Sequence, residues 1–138
     1  MKTFALVHGR FPIASGVQLT DGRAVVVRRG GGRTELHESI DSVMSDYLGT
    51  AGLVWDKAGA CYEPRPRLFV FHRHVDGTGF SGDGVAMEGA QFDDRVVLTW
   101  LGPYRSLVQW PDIDQAITVH GHTGDTTLAW LDEFQHVA

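Results

Sequence analysis

Residues 21–36 read DGRAVVVRRGGGRTEL, and residues 93–108 read DDRVVLTWLGPYRSLV. Laid side by side, each opens on an acidic turn and continues into a run of β-branched and apolar residues. Each then crosses a glycine-bearing turn (GGG at 30–32, GP at 102–103) into a short second run. Arg23 falls on Arg95 and Arg33 on Arg105 without a gap. Asp-Gly between two apolar runs is a strong hairpin signal, because both residues tolerate the positive φ that tight hairpins need. The stretch therefore predicts paired strands, and its recurrence predicts that they occur twice.

Working outward, the match extends in order. FALVHGR from Phe4 lies beside FVFHRHV from Phe69, ESIDSVMSDYL beside PDIDQAITVHG, and AGLVW beside TTLAW, ending on Trp55 and Trp130. First strands are expected at about 3–8 and 67–75, second strands at 15–20 and 85–92. A helix follows the fourth strand, with Ser39 or Asp112 as N-cap. Ile40, Val43, Met44, Tyr47 and Ile113, Ala116, Ile117, His120 carry helical spacing. The expected fold is α+β: two similar antiparallel β-sheet plus single-helix units (β-β-β-β-α-β) from an internal duplication, packed together. The units are residues 1–55 and 67–138. Residues 56–66, with two prolines and no periodicity, read as a linker.

Composition narrows the function classes. Among 138 residues, 43% apolar content suffices for a core, and a net charge of −5 argues against a nucleic-acid partner. The one cysteine, Cys61, excludes an internal disulfide and fits a reducing cytoplasm. The apolar run in MKTFALVHGRFP is too short for a signal segment, and no later stretch is long enough to span a membrane.

Two segments of the second unit have no counterpart in the first: VDGTGFSGDG at 75–84, and the surroundings of HGHTGD at 120–125. With strands alternating in direction, both fall at one end of the unit, which makes that end the expected binding site. The contacts are Asp76, Thr78, Ser81, Asp83, His120, His122 and Thr123. The G-x-G-x-x-G of Gly77, Gly79 and Gly82 lacks the following helix that a dinucleotide fold requires, and Asp76 and Asp83 would repel phosphate. A calcium loop fails because Thr78 and Phe80 stand where acids are needed. Ser81 lies outside a nucleophile elbow, and Cys61 has no histidine placed to activate it.

Histidines form the remaining constellation. His72 and His74 share one strand face, and His120 and His122 flank Gly121, so all four are metal-ligand candidates for a metal-assisted hydrolase. Their bland readings are a core histidine at 72 and a helix-end histidine at 120. Paired histidines in a duplicated chain also suggest a two-histidine phosphoesterase. That chemistry needs a hydroxyl two residues on, where this chain has His74 and His122.

The run HRHVDGTGFSGDGVAMEGAQFDDRVVLTWLG, followed by PDIDQAITVHGHTGDTTLAWLD, resembles a family of small proteins of actinobacteriophages and actinobacterial genomes. Its members share a Gly/Ser-rich loop and a terminal His-Gly-His. The resemblance covers roughly Arg67 to Asp132 and implies a phage or prophage accessory protein made inside the bacterial cell. The reading is a non-enzymatic binding protein, without a cofactor, that modulates a host bacterial protein. A small-molecule sequestering protein of nucleotide type and the metal-assisted hydrolase are the alternatives.

Overall fold

The structure is a computed structural model and describes residues 1–57, 61–74, 84–121 and 125–134. The chain divides into two compact units, Met1–Pro66 and Arg67–Ala138. In the first, strands β1 (Lys2–His8), β2 (Phe11–Gln18), β3 (Ala24–Arg28) and β4 (Thr34–His37) precede helix α1 (Ile40–Asp46) and β5 (Gly52–Trp55). In the second, β6 (Arg67–Arg73), β7 (Gly84–Gln91), β8 (Val96–Trp100) and β9 (Leu107–Trp110) precede α2 (Ile113–His120) and β10 (Thr126–Trp130). The antiparallel sheets run β4-β3-β2-β1-β5 and β10-β6-β7-β8-β9. This is one topology twice. The second unit adds a short helix, α3 (Leu131–Phe134), which the sequence pattern does not announce.

The correspondence reaches irregular features. β1 and β2 slip register between Leu6 and Val7, and β6 and β7 slip between Phe71 and His72. The extra residue is Ile13 in one bulge and Ala86 in the other, and each gives its carbonyl to the neighbouring strand. Arg29 N–H donates to Ile13 at 3.0 Å and Leu101 N–H to Ala86 at 2.9 Å. A bulge bends its strand and re-aims the side chains beyond it. Both second strands, β2 and β7, are therefore irregular at the same point.

Each core forms between sheet and helix. Phe4, Leu6, Ala14, Ala24 and Val26 pack with Val43 and Tyr47 in the first unit, and Phe69, Phe71, Met87, Val96 and Leu98 pack with Ala116 in the second. Phe4 and Phe69 meet Trp55 and Trp130 edge-to-face, both with centroids 5.6–5.7 Å apart. A Cβ at Gly16 or Gly89 would collide with the Phe4 or Phe69 ring, which is why glycine stands at both positions. Ser39 and Asp112 cap the helices, accepting from the Ser42 and Gln115 amides. Trp130 is also covered by Arg67, whose guanidinium carbon lies 3.9 Å from the ring centroid while the group forks onto Asp132.

The turn between the second and third strands differs by one residue. Leu19 N–H reaches Arg23 O across Thr20–Gly22, where Gly22 has a φ of 96°, whereas Phe92 N–H reaches Arg95 O across two aspartates. The turn between the third and fourth strands differs the other way, with six residues inside the Val27–Thr34 pair and seven inside the Thr99–Leu107 pair. Ala24 pairs with His37 and Val96 with Trp110, so Arg33 corresponds to Ser106 rather than Arg105.

Residues 61–66 are held by the first unit. The Arg29 guanidinium donates to the carbonyls of Tyr62 at 2.9 Å, Glu63 at 2.7 Å and Pro64 at 3.4 Å. A single side chain thus anchors a stretch whose composition reads as unattached.

Candidate functional site

At the far end of β6, Arg73 pairs with Gly84 on one side and Thr126 on the other. One step on, His74 N–H donates to the Asp125 carbonyl at 2.8 Å. The flanks of both long segments are therefore ladder neighbours. Asp76, Thr78, Ser81, Asp83, His122 and Thr123 lie outside the described residues. In the first unit the equivalent end closes tightly. A Gly9–Arg10 turn joins β1 to β2, with Gly9 at a φ of 62°, and His8 Nδ1 donates to Thr50 O at 2.6 Å.

The two enlargements are unequal. After β6 the chain runs through residues 74–83, against only Gly9 and Arg10 in the first unit. Between helix and last strand, aligning Tyr47 with His120 and Trp55 with Trp130 sets Leu48–Thr50 against Gly121–Asp125. That addition is a short one and not a whole segment. Gly121 is also not the left-handed helix terminus that its position suggests, since its φ is −72°. Close packing accounts for it: a Cβ there would lie 2.6 Å from the Ile117 carbonyl oxygen.

His120 lies beneath this end, only 7% exposed. Its ring meets Phe71, Trp100 and Trp110 edge-on at 5.7–6.1 Å. Trp110 Nε1–H donates to His120 Nε2 at 2.9 Å. Indole nitrogen is only a donor, so Nε2 carries no proton and the imidazole is held as the Nδ1–H tautomer. That nitrogen is not available to a metal.

His72 and His74 remain together, with ring centroids 4.8 Å apart. His74 Nε2 is 2.6 Å from Thr127 Oγ1, and His72 Nδ1 is buried without a hydrogen-bond partner. Among the described residues no three of His, Cys, Asp and Glu form a ready metal cluster. Cys61 donates to Glu63 at 3.2 Å, and that bond, with burial, raises the thiol above its ordinary range, unlike an activated nucleophile.

A second polar cluster escapes motif reading because cross-strand register brings it together. Glu35 accepts from Tyr47 Oη at 3.0 Å, from Arg28 Nε at 3.2 Å and from His37 Nε2 at 3.0 Å. His37 Nδ1 lies 3.4 Å from both Ser42 Oγ and Asp46 Oδ2. Burial pushes Glu35 upward, but the bonds from His37, Tyr47 and Arg28 outweigh it and hold the carboxyl below its ordinary range. Burial, then the bond to Glu35, raises the Tyr47 phenol. Tyr47 is 3% exposed and His37 7%, so these groups pin α1 to β4 rather than face a ligand. The sequence signal was the alternation of Glu35 and His37 along one strand.

With the enlarged end on the second unit, the comparisons fall on the same region. Residues 66–132 match the model of the Acb5 phage protein family. The Acb5-matched region takes in all of β6 to β10 and ends beside Asp132. It contains every residue expected at the site. No curated protein and no solved structure matches the chain. No helix among the described residues is long and apolar enough to cross a membrane.

Proposed function

We propose that this is a phage accessory protein that acts by binding rather than catalysis, and that it engages a host bacterial protein through the enlarged end of its second unit. The observation that carries the reading is the His74 N–H to Asp125 carbonyl bond at 2.8 Å. It ties together the flanking residues of the 75–83 and 122–124 segments on one sheet, where the first unit keeps only short turns. Long loops set on a rigid scaffold are where recognition concentrates. Asp76, Thr78, Ser81, Asp83, His122 and Thr123 are the proposed contacts. His120, enclosed by Phe71, Trp100 and Trp110, is held at the end of the helix that leads into the 122–124 segment. The match to the Acb5 phage protein family supports the phage setting and leaves the partner to experiment.

The test compares the intact chain with a variant whose residues 75–83 are replaced by the Gly-Arg turn of the first unit. Each is used to capture partners from host lysate, and both are checked by circular dichroism. The intact chain should retain a defined host protein that the shortened one loses at least tenfold. Equal recovery by both would sink the reading.

A further inference from the structure

We infer that His72, His74 and Asp125 form a site for one divalent transition-metal ion of the zinc type at the end of β6. The inference goes beyond the binding reading above and rests on register, ring geometry and one orphaned atom. Thr127 is the direct partner of His72, and the ladder continues to Asp125 opposite His74 through the 2.8 Å backbone bond. Side chains directly opposite in an antiparallel pair share a face, as do residues two apart on a strand. His72, His74 and Asp125 therefore stand on one face, within one step of each other.

The imidazoles are already near a chelating separation. Two imidazoles on one tetrahedral ion, with Zn–N bonds of about 2.0–2.1 Å, stand with ring centres about 5 Å apart. Here they are 4.8 Å apart. Each ring also has one nitrogen in question. The Thr127 hydroxyl engages His74 Nε2 at 2.6 Å, the outer hydrogen bond that typically fixes a ligating histidine, and so leaves Nδ1 for an ion. His72 Nδ1 is buried with no hydrogen-bond partner among the described residues, a position that a ligand would complete.

As the side chains stand, no three such groups are within common ligand reach. The site requires the exposed Asp125 side chain to turn toward the two rings about its Cα–Cβ bond. Two imidazoles and one carboxylate suit zinc and its first-row neighbours and disfavour calcium and magnesium, which take oxygen ligands. Such a set leaves coordination positions for water or for an oxygen atom of a bound partner. His120 contributes nothing, because Nε2 is taken by Trp110.

The experiment uses the full chain purified without an affinity tag and stripped with chelator. Zn²⁺ is added by calorimetry and Co²⁺ by visible absorption. One equivalent should bind, with a d–d spectrum of tetrahedral or five-coordinate cobalt. His72→Gln and His74→Gln should each weaken binding at least tenfold, Asp125→Asn several-fold, and His8→Gln in the first unit not at all. Absence of saturable one-equivalent binding would overturn the site, as would a loss below tenfold in both histidine variants. The host-protein capture above, run in chelator, is independent. Failure of the metal site leaves it standing, and its failure leaves the metal titration unaffected.

Discussion

The helix-to-sheet seam is built at the same positions in both units from opposite materials. Arg28, Glu35, His37 and Tyr47 occupy the places of Trp100, Val108, Trp110 and His120. In the first unit a carboxylate gathers donors from two strands and a helix, so the seam is a set of directional bonds. In the second, three aromatic rings surround one imidazole, with a single indole-to-imidazole bond between them. A charged seam favours one geometry, because its hydrogen bonds weaken with misalignment. An aromatic seam tolerates small displacement, since its area term is non-directional. The unit with the forgiving seam is the one that carries the enlarged loop end.

The strongest challenge to this contrast removes a ring. Trp110→Ala deletes a large side chain and strips His120 of its donor, so a loss of about 3–4 kcal/mol is expected in urea denaturation. The matched His37→Ala should cost about 1–2 kcal/mol, because Glu35 keeps Tyr47 and Arg28 as donors. Equal losses would break the contrast.

Next in size are the glycines under the phenylalanines. At Gly16 the three atoms nearest an added Cβ all belong to the Phe4 ring, whereas at Gly89 it meets the Val97 backbone carbonyl as well as Phe69. A carbonyl in a central strand cannot rotate away. Gly89→Ala is expected to lose about 2–3 kcal/mol, with Gly16→Ala the smaller loss. Thermal melts of the two variants check the order.

The pH profile sharpens the comparison further. Glu35 is held below its ordinary value of about 4.5 in the folded chain, so its contribution is complete above that pH. It fades as pH falls through the lower folded value, where the unfolded chain takes up the proton first. Glu35→Gln should flatten the acid side of the stability curve below pH about 4.5 and cost about 1–2 kcal/mol at neutral pH through the weakened Tyr47 bond. Trp110→Phe, in the uncharged seam, should leave the acid slope unchanged.

The smallest expected effect concerns Asp56, whose two carboxylate oxygens are buried without a hydrogen-bond partner. Asp56→Asn removes a poorly compensated charge and should raise stability by about 1 kcal/mol or leave it level. A clear loss in urea would show that the carboxylate has a role.

Much of the fold was legible because its signals are local. Asp21-Gly22 and the AVVV run announced a hairpin, Ser39 and Asp112 announced helix starts, and the two tryptophan-ended strands closed the repeat. The site was legible only as a place. Alternating strand direction brought the 75–83 and 120–125 segments to one end, which the His74–Asp125 bond matches at their flanks. What escaped was cross-strand in origin. The extra residue in the 100–106 turn moves the later strand by one, so an ungapped comparison sets Glu35 against Leu107 and hides the seam. The Arg29 clasp joins residues more than thirty positions apart. The four residues of α3 are too few to show a helical period.

The paired bulges carry a consequence for descent. If the two units come from one ancestor, a kink shared at Leu6/Val7 and Phe71/His72 predates their divergence. The longer segment was then inserted ahead of a strand that already carried its bulge, with His72 pairing Val85 immediately beside it. Novelty there needed insertion alone, with no remodelling of the sheet beneath.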